Sequence, residues 1–140
     1  MSQAEIERLI RAAFEAQKRA YTPYSHFQVG AALLCGDGEI YGGCNIENAS
    51  YGATNCAERT AIFRAVYDGK RDFRGIAIVG KPKKATDFGF CAPCGICRQV
   101  MAEFCDPGTF EIILPRTLED YKRYTLEELL PLSFQEEDMR

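Results

Sequence analysis

No basic run longer than the pair Lys83-Lys84 occurs in this chain, and its formal net charge is −3. A protein that grips a phosphate backbone needs a positive footprint, so the sequence argues against a nucleic-acid partner. No apolar stretch approaches the length of a membrane span, which argues against a membrane partner as well. The opening Met1-Ser2-Gln3-Ala4-Glu5 lacks the basic region and apolar run of a secretory leader. Repeats and low-complexity tracts are missing, and no change of composition marks a domain boundary. Histidine occurs once, at His26 before an apolar run, where an ordinary loop or packing role suffices. Seven cysteines are an odd number for a disulfide framework. With no export signal, thiols kept reduced in the cytoplasm are the simpler expectation.

What is present has a globular composition. The chain has 140 residues, 26% charged and 46% hydrophobic, enough for one domain over 1–140 with a real core. Ser2 and Glu5 make a Ser-x-x-Glu capping box, and Ile6, Leu9, Ile10, Ala13 and Phe14 recur at helical spacing. That predicts an amphipathic helix over 2–20. Phe27–Cys35 and Glu39–Cys44 flank Gly36-Asp37-Gly38 and read as a β-hairpin. Asn45 to Asn55 is a polar loop, Cys56–Tyr67 a helix ended by Asp68-Gly69, and Phe73–Gly80 a third strand. After a loop over 81–92, Pro93 suits the first turn of a helix from Cys94 to about Phe104. Strands follow at Thr109–Leu114 and Tyr121–Tyr124, then a helix with its own Thr125/Glu128 box, stopped by Pro131. The order αββαβαββα implies an α/β fold, one sheet with helices packed on its faces.

Two segments carry chemistry: Cys56-Ala57-Glu58 and Pro93-Cys94-Gly95-Ile96-Cys97. Three thiolates fill three corners of a tetrahedral zinc ion and leave the fourth for water. Glu58 would stand beside that water as a proton-transfer group. Both segments open helices on this reading, and Cys94 and Cys97, at i and i+3, share a helical face. Unpaired N–H groups at helix starts favour thiolate over thiol. Three thiolates on a divalent ion still leave one net negative charge. Arg59 and Arg98, each next to a ligand motif, are candidates to donate to the sulfurs, and Gln99 is grouped with them behind the ligands.

Competing readings exist for each part. A lone C-x-x-C pair can be redox-active or merely structural, but a thioredoxin-like pair explains neither Cys56 nor Glu58. Cys91 is the stronger rival, because Cys91, Cys94, Cys97 and Cys56 together would make a closed four-thiolate zinc or an iron–sulfur site. Pro93 tells against this, since Cys91 then precedes the helix and points elsewhere. Asn55-x-x-Glu58 also fits a capping box in which the glutamate only reaches back to a backbone N–H. Cys35, Cys44 and Cys105 sit in or beside apolar segments and read as small core residues.

Four stretches in register resemble the short, homotetrameric cytidine deaminases: Pro23-Tyr24-Ser25-x-Phe27-x-Val29-Gly30-Ala31-Ala32, Gly43 through Gly52, Cys56 through Ala61, and Pro93-Cys94-Gly95-x-Cys97-Arg98-Gln99. The similarity runs from about Ala4 to Phe134. It implies a three-layer α-β-α sandwich with a five-stranded mixed sheet. It also implies zinc held by Cys56, Cys94 and Cys97, with Glu58 shuttling protons from water to ring N3 and then to the departing amine. Phe27 would face the base, Asn45 and Glu47 would read the ribose, and backbone groups at Ala57 and Cys94 would fix the base edge and the amine. Ala49, Tyr51 and Phe134 would reach a neighbouring subunit's site. The implied activity is conversion of cytidine and 2′-deoxycytidine to uridine and 2′-deoxyuridine with release of ammonia. A deaminase of a nucleoside antibiotic such as blasticidin S shares the cysteine motifs, yet that antibiotic lacks the ribose that Asn45 and Glu47 suit. A zinc-stapled module without turnover leaves Glu58 unexplained. Cys91 stands where a serine is more usual.

Overall fold

The run FQVGAALLC does not alternate apolar with polar residues, the mark of a strand covered on both faces. In the computed structural model, which describes residues 1–140, it is the second strand in from one edge of a five-stranded sheet. The elements in chain order are α1 (Gln3–Gln17), β1 (Phe27–Cys35), β2 (Ile40–Cys44), α2 (Ala57–Tyr67), β3 (Phe73–Pro82), α3 (Gly95–Phe104), β4 (Glu111–Pro115), β5 (Tyr121–Thr125) and α4 (Leu126–Leu129). Short 3₁₀ turns lie at Tyr51–Ala53 and Glu136–Met139. The strand order is β2-β1-β3-β4-β5; β3 and β4 run parallel and the other pairs antiparallel, so the sheet is mixed.

Alternate residues of each central strand serve opposite layers. Ala31, Leu33, Ile76, Ile78 and Ile112 pack with Ala61, Ile62 and Ala65 of α2, Met101 of α3 and Leu126 of α4. Ala32, Leu34, Ala77, Val79 and Ile113 point the other way, against Ile6, Leu9, Ile10 and Ala13 of α1. Helices therefore cover both faces, giving the expected three-layer α-β-α sandwich.

Local sequence explains most boundaries, and some fall elsewhere than expected. Both capping boxes form, Ser2 with Glu5 and Thr125 with Glu128. Helix α1 stops at Gln17 rather than Ala20, and β3 runs on to Pro82 because Phe27 pairs with Pro82 across the sheet. Pro93 lies outside α3, since Cys94 is the N-cap and Gly95 the first helical residue. Thr109 and Phe110 turn back onto the Asp106 carbonyl, which delays β4 to Glu111.

One contact fixes the helix that matters for chemistry. A Cβ on Gly43 of β2 would lie 2.5 Å from the Ala61 nitrogen and 2.6 Å from the Ala57 oxygen. Helix α2 thus rests backbone to backbone on the edge strand, and only glycine admits that approach. Its N-terminal end is held at a defined height above the sheet.

Candidate active site

Cys56 is the N-cap of α2 and Cys94 the N-cap of α3, both in extended conformation, and neither side chain bonds a helix N–H. The sulfurs turn toward each other instead, 3.8 Å apart. Cys97, buried in the first turn of α3, completes a cluster whose three sulfurs lie within 4.8 Å of one another. Two helix N-termini converge there, and their unpaired N–H groups favour negative charge. The rival reading, a capping box between Asn55 and Glu58, does not form. Cys56 takes the cap position, and the Asn55 amide donates to Thr60 Oγ1 at 3.0 Å. Glu58 stands in the first turn of α2, only 4% exposed.

The electrostatics follow from this burial. Desolvation, reinforced by negative charge at Cys56, pushes the Glu58 carboxyl up to about 7 from the ordinary 4.5. Cys56 is pulled down to about 5, first by the neighbouring Cys97 thiol and then by Arg59. Cys97 moves the opposite way, as the partner that keeps its proton. Arg59 Nη2 donates to Cys56 Sγ at 3.3 Å, while its Nε is buried without any partner. The donor set fits zinc. At about 2.3 Å per zinc–sulfur bond, tetrahedral ligands stand roughly 3.8 Å apart, close to the Cys56–Cys94 separation. A guanidinium already turned to one sulfur offsets part of the negative charge three thiolates would leave.

Cys91 is not in this cluster. Its thiol lies against Gly80 of β3, where an added Cβ would be 2.8 Å from Cys91 Sγ and 3.0 Å from the Phe27 ring. Burial raises the Cys91 thiol to about 11. Gly80 leaves room for the aromatic ring and the thiol side by side.

The remaining residues divide into those with defined partners and those on the surface. Asn45 is buried, accepting from the Val29 N–H at 2.9 Å and donating to the Phe27 carbonyl at 2.9 Å. It pins the start of β1, and so the backbone of Phe27. Glu47 accepts from the backbone N–H groups of Tyr24 and Ser25 at 3.0 and 3.1 Å, and from the Ser25 hydroxyl. That hydroxyl, with the two N–H groups, holds the Glu47 carboxyl below its ordinary range. A cavity of about 370 Å³ is lined by Tyr24, Ser25, Glu47, Tyr51 and Thr54. Phe27 is 37% exposed, Ala57 is buried, and Ala49, Tyr51 and Phe134 are exposed.

Two expectations are corrected. Arg98 does not donate to a sulfur; its Nε bonds the Pro93 carbonyl at 2.9 Å and its Nη1 the Leu129 carbonyl at 2.8 Å. These are the backbone oxygens beside the ligand loop and at the end of α4. Gln99 likewise bypasses the ligands and bonds the main chain of Phe134. Ser25, as the partner of Glu47, escaped sequence reasoning: it lies 22 positions away, beyond any local spacing rule.

The model of the cytidine and deoxycytidylate deaminase zinc-binding region matches residues 3–110, which span the whole thiol cluster. The chain belongs to the cytidine and deoxycytidylate deaminase family. Among proteins of this deaminase family, it is 49% identical over 135 residues to a cytidine deaminase of Sporosarcina psychrophila, covering 96% of this chain and 95% of that one. It is 52% identical over 131 residues to the cytidine deaminase of Halalkalibacterium halodurans, covering 94% and 95%. The crystal structure of cytidine deaminase from Burkholderia pseudomallei superposes with a TM-score of 0.81 at 49% identity, covering 91% of this chain and 97% of that one. A blasticidin-S deaminase of Bacillus cereus is more distant, 33% identical over 137 residues, covering 96% and 94%.

Proposed function

We propose that this deaminase-family chain hydrolyses cytidine and 2′-deoxycytidine to uridine and 2′-deoxyuridine with release of ammonia, a reaction of pyrimidine salvage. One observation carries the reading: a buried glutamate stands in the first turn of the helix that Cys56 caps, and Cys56 belongs to a three-thiol cluster completed by Cys94 and Cys97 of α3. Cys56, Cys94 and Cys97 would hold one zinc ion per subunit. When bound, zinc makes water a nucleophile near neutral pH.

Glu58 does the proton work on this reading. A carboxyl with a pKa raised to about 7 can both accept and give up a proton at neutral pH. It takes a proton from the attacking water and delivers it to ring N3 as the water oxygen bonds to C4. It then carries the second proton to the amino group, which leaves C4 with its bonding electrons as ammonia. Water's two protons and oxygen are thereby divided between the two products. Arg59 lowers the charge on Cys56, and Asn45 sets the backbone from which Phe27 meets the base. Glu47, with its Ser25 and backbone donors in place, is oriented to accept from a ribose hydroxyl. Backbone groups at Ala57 and Cys94 would fix the base edge and the leaving amine.

The same reading makes residues 1–140 one catalytic domain and the assembly a homotetramer, in which Ala49, Tyr51 and Phe134 serve neighbouring sites. Tyr51 is 76% exposed and Phe134 59%, as groups awaiting a partner surface would be. A metal cluster of free thiols suits a reducing cytoplasm. The greater identity to cytidine deaminases than to the blasticidin-S enzyme favours the nucleoside reading. The test is turnover by zinc-loaded protein of cytidine, deoxycytidine, cytosine, cytidine monophosphate and blasticidin S, followed by ring absorbance and ammonia. The first two should react with one ammonia per ring. Preference for cytosine, the monophosphate or blasticidin S would overturn the assignment.

A further inference from the structure

Residues 131–140 carry no strand and no α-helix, and their hydrogen bonds to the rest of the chain number only two. Both go to one side chain. Gln99 Nε2 donates to the Phe134 carbonyl at 2.7 Å, and the Phe134 N–H donates to Gln99 Oε1 at 3.3 Å. The carboxamide thus pairs with the main chain of a single residue as a neighbouring strand would, using its donor and its acceptor together. Such a pair fixes the register of the tail and is indifferent to the side chain at position 134. Arg98 secures the segment just before it through the Leu129 carbonyl. Both residues follow Cys97 directly on α3, so the helix that bears two of the clustered thiols also bears the anchors of the tail.

We propose that Gln99 is a positioning residue, whose two hydrogen bonds set where the tail presents the Phe134 ring to the nucleoside site. The inference rests on the reading of Phe134 as a substrate neighbour. Gln99 has no part in the proton transfers, so its loss weakens substrate capture and spares the chemical step. Two ordinary hydrogen bonds correspond to about a tenfold change in the docked population of the tail.

The experiment compares Gln99→Ala, Phe134→Ala and the double variant in the zinc-loaded assembly. Gln99→Ala should raise KM for cytidine about tenfold, with kcat and zinc content unchanged, and the double variant should be no worse than Phe134→Ala alone. The chain has no tryptophan, so Phe134→Trp gives a single reporter whose main-chain clamp is retained. Its fluorescence anisotropy should fall when Gln99→Ala is added. Gln99→Glu keeps the size and the acceptor but loses the donor, and should act in the same direction if the alanine variant fails to assemble. A raised KM for Phe134→Ala with none for Gln99→Ala sinks the inference alone. No effect of Phe134→Ala sinks the reading beneath it and the inference too. Additive effects in the double variant, or unchanged anisotropy, would also overturn it.

Discussion

A methyl group added at Gly43 would meet the backbone of α2, not a side chain that could swing aside. To carry the 2.5 Å approach at the Ala61 nitrogen to the ordinary contact limit of 3.4 Å, α2 must lift from β2 by about 0.9 Å. That helix starts with Cys56 and Glu58, so both shift relative to Cys94 and Cys97 on α3. A misplacement of about 1 Å at reacting groups costs roughly 10²-fold in rate, and overpacking of this kind destabilises by about 1–3 kcal/mol. Gly43→Ala should therefore lower kcat/KM for cytidine by about two orders of magnitude and lower the urea midpoint. Gly42 supplies the control, because a Cβ there meets only the Ala16 Cβ at 3.5 Å and the Ala31 oxygen at 4.0 Å, ordinary contacts. Gly42→Ala should be close to neutral by both measures. Wild-type kinetics in Gly43→Ala, or equal damage from both substitutions, would refute the idea that α2 is seated through Gly43.

Glu58→Gln should keep zinc and fold while losing at least about 10²–10⁴-fold in kcat, since an amide of the same shape cannot move protons; half-wild-type turnover would exclude Glu58 as the shuttle. Cys94→Ala should lose zinc and activity together, whereas Cys91→Ser should retain both; zinc loss from Cys91→Ser, read by metal analysis, would restore the four-thiolate site. Glu47→Ala should raise KM for cytidine about tenfold or more at constant zinc content, and an unchanged KM would remove Glu47 from sugar recognition. Glu5 is held down at about 2, below its ordinary 4.5, first by the Ser2 backbone N–H and then by Arg74. Because the folded value is the lower one, its contribution is present above about pH 4.5 and lost as pH falls toward about 2. Glu5→Gln should flatten that part of the acid stability curve, and identical curves for both proteins would show the box and ion pair to be inert.

The parts of this molecule legible from sequence were those governed by nearby residues. The Ser2/Glu5 and Thr125/Glu128 boxes needed only a four-residue window, and both formed. The three thiols lie in two short motifs, and their meeting at one point follows from each motif opening a helix. Long-range pairings were not legible. Glu47 finds Ser25, Gln99 finds Phe134, and Arg98 finds Leu129 only because the sheet and the tail bring them together. Arg98 stands beside a ligand in sequence, yet the carbonyls of Pro93 and Leu129 claim its nitrogens. Adjacency along a helix says little about direction, since neighbouring residues leave the axis about 100° apart. The Asn55 box, the rival reading for Glu58, is absent because the cap falls one residue later, on Cys56.

The two-sided sheet has a consequence for how this sequence can change. Odd positions of β1 such as Ala31 and Leu33 pack toward the layer that carries the thiols, and even positions such as Ala32 and Leu34 pack toward α1. A single strand is therefore two interleaved messages, one read by the chemistry and one by the scaffold. Substitutions on the α1 side can drift with their partners on that helix, while those one residue away inherit the tolerances of the reaction.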